Sequence, residues 1–229
     1  MSLQPVYLDN HLLVLFKPPG ALSQADETGD PDLLSQGKAY IKSKFAKPGN
    51  VYLGLVHRLD RPASGLVVFA RTSKAAARLT AAFRERKVEK GYLAIVEGRL
   101  DGEGAWRDHL VKDSRQVRIV PDDHPKGKLA RLRWRALAHE RETTLVAVTL
   151  LTGRAHQIRV QFASRGHALL GDLRYGATRP FDGANLALHS YLLAFDHPVG
   201  GRPLRFLHRP PATWGGWFTT AVATLPWDD

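Results

Sequence analysis

Two short stretches of this chain concentrate the residue types that bond-making chemistry needs. In the first, His57-Arg58-Leu59-Asp60-Arg61-Pro62-Ala63-Ser64-Gly65, one carboxylate sits between two arginines on a polar segment flanked by apolar residues. A carboxylate beside guanidinium groups stays ionised at neutral pH, which suits a nucleophile or an electrostatic stabiliser and not a general acid. The same string also fits an Asp–Arg pair that merely braces a turn. In the second, Thr152-Gly153-Arg154-Ala155-His156-Gln157-Ile158-Arg159, cations and amides sit where a strand gives way to a helix. Free backbone N–H groups at such a junction meet an anion, either a phosphate or the Asp60 carboxylate, and ordinary helix capping with a solvated basic turn fits equally.

Competing chemistries leave no trace. There is no Walker pattern, no G-x-G-x-x-G and no H-E-x-x-H, and Ser64 lacks the preceding glycine of a nucleophile elbow. The chain has no cysteine, which excludes disulfides, thiolate zinc sites and cysteine nucleophiles, and its ten histidines never pair with a carboxylate at zinc-ligand spacing. The expectation is a reaction without metal or cofactor.

The elements that must hold these stretches can be read from hydrophobic periodicity. Strands are predicted at 6–8, 12–16, 52–56, 66–70, 92–96, 116–120, 129–138, 143–151, 186–195 and 204–207. Asp30 before Pro31 reads as the cap of a helix that runs to about Pro48-Gly49, and Thr72 or Ser73 as the cap of another. A third helix is predicted over 155–164, with Gly166 just past its end. Polar segment 57–64 therefore lies between two buried strands. Strict alternation over 129–136 puts Arg131, Arg133 and Arg135 on one strand face, as either a solvated outer surface or a phosphate-contacting stripe. Trp214 and Trp217 near the C-terminus are expected in the core. The fold class is α+β, a large mixed, mainly antiparallel sheet with flanking helices.

At 229 residues the chain is read as one domain, because the most linker-like stretch, 122–128, is too short to separate two. No apolar run approaches the ~20 residues of a membrane span, and no secretory signal is visible, so a cytoplasmic protein without membrane contact is expected. The balance of 33 Lys and Arg against 22 Asp and Glu gives a net charge of +11. Such a field attracts polyanions, and nucleic acid is the leading partner.

Joined together, the two stretches resemble a known family. His57-Arg58-Leu59-Asp60 with Ser64-Gly65-Leu66, followed by Gly153-Arg154-x-His156-Gln157-Ile158-Arg159, is similar to the RluA family of RNA pseudouridine synthases. Further family-like pieces follow in order: Lys17-Pro18, Glu89-Lys90-Gly91-Tyr92-Leu93-Ala94, Leu170-Gly171-Asp172-x-x-Tyr175-Gly176, and Leu188-His189 before His197-Pro198. The resemblance covers nearly the whole chain.

It implies an enzyme that isomerises uridine within structured RNA, ribosomal or transfer RNA, without cofactor or metal, on a basic cleft lined by the large sheet. Asp60 then corresponds to the essential aspartate, which either attacks the anomeric carbon or abstracts a ribose proton. Tyr92 corresponds to the aromatic residue that stacks on uracil and is a candidate to help remove the carbon-5 proton, and Arg159 to the basic partner of the aspartate. Arg58 matches the arginine that fills the space left by a flipped base, and Arg61, Arg154, His156, Gln157 and the 131–135 arginines complete the expected RNA-binding set. Ala63 departs from the family's usual Thr and Gln161 from its usual His, which puts in doubt only local hydrogen bonding. Lys17 already belongs to the first motif, so RNA recognition is expected to rest on the catalytic domain, with no separate N-terminal module; no obligate protein partner is inferred, and a monomer is expected. The runner-up is a non-catalytic RNA-binding or ribosome-assembly protein on the same scaffold; such a binder gains nothing from Asp60.

Overall fold

The computed structural model describes residues 3–113 and 116–227. Strands β1 (Pro5–Leu8) and β2 (Leu12–Lys17) form a hairpin, followed by helix α1 (Leu33–Lys44), the short β3 (Gly54–Leu55), β4 (Ser64–Ala70) and helix α2 (Ser73–Arg84). Next come β5 (Glu89–Glu97), β6 (Glu103–Lys112), β7 (Val117–Val120), β8 (Lys128–Glu140) and β9 (Thr143–Leu150). Helix α3 (Gln157–Ala163), strands β10 (Leu188–Asp196) and β11 (Pro203–Leu207) and helix α4 (Thr219–Ala223) complete the chain. Among the described residues, all strands join one sheet in the order β1-β2-β4-β10-β5-β9-β8-β6-β7, with β3 on β4 and β11 on β10. Among the strand pairs of the described residues only β10 with β4 runs parallel, so the sheet is mixed and mainly antiparallel, as the sequence implies.

Central strands are covered on both faces, which is why β2 and β4 read as unbroken apolar runs. One face carries Leu13, Leu15, Val67, Phe69, Tyr92, Trp134 and Val148 against Ile41 of α1 and Ile158 and Phe162 of α3. On the other, Leu12, Val14, Leu66 and Val68 pack on Ala75 and Leu79 of α2, and Leu93, Ile95 and Leu145 pack on Trp214 and Phe218. Trp214 is thus in the core, as expected.

Three sequence expectations are corrected. The cap of α1 is Asp32, whose side chain accepts from the Ser35 N–H at 2.9 Å, while Asp30 instead pairs with Arg61. The predicted 52–56 strand shrinks to Gly54–Leu55. Strand β6 has no counterpart among the predicted strands, because charged residues and a glycine interrupt its apolar positions as it runs through the half-exposed end of the sheet.

One backbone approach fixes the site. Gly65 has φ +128°, and a Cβ there would lie 2.4 Å from the Ser190 carbonyl oxygen. Only glycine permits β4 to begin this close to β10, and β10 in turn pairs Ser190 with Tyr92 of β5. The Asp60 loop, which leads into β4, is thereby set beside Tyr92.

Candidate active site

Asp60 stands in a tight turn, in which the Ala63 N–H donates to its carbonyl at 3.1 Å. Lys17, at the end of β2, ties that turn down from behind: its fully buried ammonium donates to the carbonyls of Pro18 (3.1 Å), Ala21 (2.8 Å) and Arg61 (3.0 Å). Burial pushes the Lys17 ammonium down to about 7, against the raising influence of Asp60. Arg61 itself turns outward, donating to the Gly20 carbonyl and pairing with Asp30.

The partner of the Asp60 carboxylate comes from α3, not from its own loop. Arg159 Nη1 donates to Asp60 Oδ2 at 3.1 Å, while Nε and Nη2 grip both oxygens of Asp172 at 2.7 and 2.8 Å. Side-chain exposure falls along this chain from 27% at Asp60 to 5% at Arg159 and 1% at Asp172. Burial opposes the charge on Arg159, but the two carboxylates outweigh it and hold the guanidinium above its ordinary pKa. A bidentate clamp on one side leaves a single N–H aimed at Asp60, so the reactive oxygen has a fixed address.

His156 faces Asp60 from the other side, Nε2 to Oδ2 at 3.9 Å. Its Nδ1 is 2.8 Å from the Tyr175 hydroxyl, which also accepts the Val117 N–H at 3.0 Å. Burial lowers the pKa of His156 despite the neighbouring carboxylate. Tyr92 lines the same inner chamber of about 60 Å³, with Asp60, Arg159, His156 and the apolar Leu59, Ile158 and Leu188. Burial pushes its phenol up to about 12.

Outside this chamber opens a wider cleft of about 610 Å³, lined by Arg58, Arg84, Arg86, Lys90, Lys112 and Arg154, with Asp60 as its carboxylate. Arg58 and Arg154 border both spaces. Among the described residues, no cluster of three His, Asp or Glu side chains is arranged to hold a metal ion.

The structure thus brings Asp60, Tyr92, Arg159, Arg58, Arg154, His156 and Gln157 around one chamber, and sets the 131–135 arginines apart. Gln157 is buried: its Oε1 accepts from Thr152 and the Arg154 N–H, and its Nε2 donates to the Arg131 carbonyl. It shapes the turn while lining the inner chamber. Arg131, Arg133 and Arg135 do share one strand face, but the intervening Leu132 and Trp134 are the residues on the Tyr92 side. The stripe therefore lies across the sheet from the cleft. Gln161, which stands at a departure from the family pattern, is also buried and donates to Asp108 at 2.6 Å. Sequence reasoning gave no role to Asp172, Tyr175 or Lys17; their only signal was membership of the family-like pieces, since each acts through a contact between distant segments.

Comparisons with known proteins agree with this geometry. A family model described as RNA pseudouridylate synthase matches residues 11–164, more than half of the chain. Ribosomal large subunit pseudouridine synthase D of Zymomonas mobilis is 35% identical over 219 residues, covering 90% of this chain and 68% of that protein. Dual-specificity RNA pseudouridine synthase RluA of Haemophilus influenzae is 33% identical over 204 residues, covering 88% of this chain and 90% of that one. The solved structure of human RNA pseudouridylate synthase domain containing 4 shares the fold, with a TM-score of 0.76 at 21% identity over 95% of this chain and 90% of that one. On the matched motifs, the fold and these identities, the chain belongs to the RluA family of RNA pseudouridine synthases.

Proposed function

We propose that this RNA pseudouridine synthase acts on ribosomal RNA, and that Asp60 opens the reaction at the ribose of the target uridine. The ribosomal target rests on relatives named as large-subunit synthases. The role of Asp60 rests on one observation: its carboxylate, held at 3.1 Å by Arg159, sits at the inner end of a cationic cleft beside Tyr92. A protein that only bound RNA would gain nothing from a carboxylate braced toward a phosphate-rich ligand.

The isomerisation breaks the bond between uracil N1 and C1′, forms one between C5 and C1′, and moves the C5 proton to solvent while N1 gains one. A stacked base cannot turn over, so the uridine must leave the helix, at a cost of a few kcal/mol. Arg58, exposed where the cleft meets the chamber, fills the gap it leaves. Inside, the Asp60 carboxylate either attacks C1′ or takes the C2′ proton, and both routes need the oxygen that Arg159 holds in place. Tyr92, protonated at neutral pH, supplies a ring for the uracil to stack on and a hydroxyl, not a phenolate base.

Release of tritium from carbon 5 of labelled uridine in unmodified ribosomal RNA tests this reading. Asp60→Asn removes the charge at nearly constant shape, so release should fall to background while RNA affinity stays within about twofold. Turnover by Asp60→Asn at the wild-type rate overturns the role of Asp60. Release from transfer RNA but not from ribosomal RNA overturns the target.

A further inference from the structure

The outer cleft holds more positive charge than the reaction at Asp60 uses. Its one lining carboxylate is taken by Arg159, and of the outer cations only Arg84 has a neighbouring carboxylate among the described residues, Glu85 at 4.0 Å. Lys90 is the clearest case. It lies two residues before Tyr92 on β5, so both project from the same strand face. Its amine is half-buried and engages no carboxylate among the described residues, and burial together with the charges of Arg154 and Arg86 lowers its pKa. A half-buried cation facing other cations is unfavourable until an anion arrives.

A second cavity, of about 550 Å³, adjoins the first and is lined by Lys112, Lys126, Lys128 and Arg154, with no carboxylate among its lining residues. The two spaces share Lys112, Gly153, Arg154 and Ala155, so only the turn at Gly153–Arg154 separates them. Gly153 is exposed and does not have positive φ; a Cβ there would meet only Lys90 Nζ, at 3.6 Å, an ordinary contact. The protein itself has no need of glycine at this point, whereas a strand crossing the turn in contact with its backbone would.

We propose that the RNA strand adjoining the target uridine crosses the Gly153–Arg154 turn, with one phosphate seated against Lys90, Arg86 and Arg154 and a neighbouring one against Lys112, Lys126 and Lys128. This rests on the reading of the cleft as the RNA site and adds to it a direction of travel, away from Asp60 toward the end of the sheet formed by β8, β6 and β7. The ligand is the phosphodiester backbone, bound by charge and without base readout.

The test uses the full chain and a short oligouridylate, with affinity measured across a salt series. Each phosphate contact on single-stranded RNA contributes a slope of about −0.7 in log affinity against log salt. Lys90→Met, and separately Lys112→Met with Lys126→Met and Lys128→Met, should each weaken binding about tenfold at low salt and flatten the slope by about one contact or more. Gly153→Ala should weaken binding severalfold with an unchanged slope and an unchanged urea midpoint, because only the ligand would meet the added methyl. Wild-type affinity and slope in the two lysine variants overturn the path, as does wild-type chain that fails to bind oligouridylate at all. A circular dichroism spectrum in the near ultraviolet that matches wild type separates these outcomes from misfolding. Failure of this path is distinct from failure of the catalytic reading: the former shows in the salt slopes with Asp60→Asn still inactive, the latter in an active Asp60→Asn with slopes reduced as stated.

Discussion

Arg159 and Arg133 carry the same group on opposite sides of one sheet. Arg159 is buried, spends all three of its described hydrogen bonds on two carboxylates, and fixes the position of Asp60. Arg133 and its neighbour Arg135 are exposed on the far face, in register with Thr149 and Ala147. Both arginine groups stand out in the sequence, and Arg133 belongs to the more regular pattern. What separates them is topology. Alternation along β8 determines that its arginines share a face, but the face that meets the Asp60 loop is decided by the pairing of β8 with β9 and β9 with β5, which places Trp134 and Val148 beside Tyr92. A charge is committed to the site when opposed charges from another segment enclose it, not when it repeats.

The sharpest way to break this contrast is Arg159→Met. It leaves Asp172, 1% exposed, as an uncompensated carboxylate, which costs about 3–5 kcal/mol, and it releases Asp60. We expect a large fall in the urea midpoint and no tritium release. Adding Asp172→Asn removes the stranded charge, so the double variant should regain part of the stability and none of the turnover. Equal recovery of both would reduce Arg159 to a structural brace.

Much of the fold was legible because its strands announce themselves as apolar runs bounded by turn residues, as at 66–70 and 92–96. Asp60, Tyr92 and Arg159 were legible through motif resemblance, and the structure shows why residue types alone left them open: Asp60 sits between Arg58 and Arg61 in sequence yet pairs with Arg159, 99 positions away. Gln157 was less legible for the complementary reason. A polar residue in a basic cluster suggests a ligand, but its amide also bonds Thr152 and Arg154 of its own turn and the Arg131 carbonyl of β8. Strand β6 escaped because its Trp106, Asp108 and Leu110 share a face that is only partly covered, so charge and apolarity mix along it.

Lys17 tests whether commitment by burial extends behind the site. Lys17→Met leaves three carbonyl oxygens without their donor, at about 1–3 kcal/mol. The dependence on pH gives a sharper signature. In the unfolded chain the lysine keeps its proton up to its ordinary 10.5, and in the folded one only to about 7. Between those values the unfolded state binds more protons, so the stability this lysine contributes rises with pH, and its burial as a cation weighs fully only below 7. The deficit of Lys17→Met in urea midpoint should therefore be smallest under mildly acidic conditions and grow through the alkaline range. A deficit that stays constant would mean that the ammonium keeps its charge when folded, and that the three carbonyls alone compensate its burial.

The far face supplies the smallest effect and the remaining leverage on the comparison. Arg133→Met with Arg135→Met removes two exposed charges that stand opposite Ala105 and Glu103 on β6. Surface substitutions of this kind change stability by about 0.5 kcal/mol or less. Two positive charges leave the chain, so long-range attraction weakens slightly, but no phosphate contact of the proposed path is lost, and the salt slope for oligouridylate should match wild type. The cleft variants provide the scale: if the far-face pair flattened the slope as much as Lys90→Met does, RNA would be wrapping the edge of the sheet, and the division between a committed face and a merely charged one would fail. If the slope is unchanged, the +11 net charge of the chain is a poor guide to where RNA lies, and the half-buried cation at Lys90, which engages no carboxylate among the described residues, is the better one.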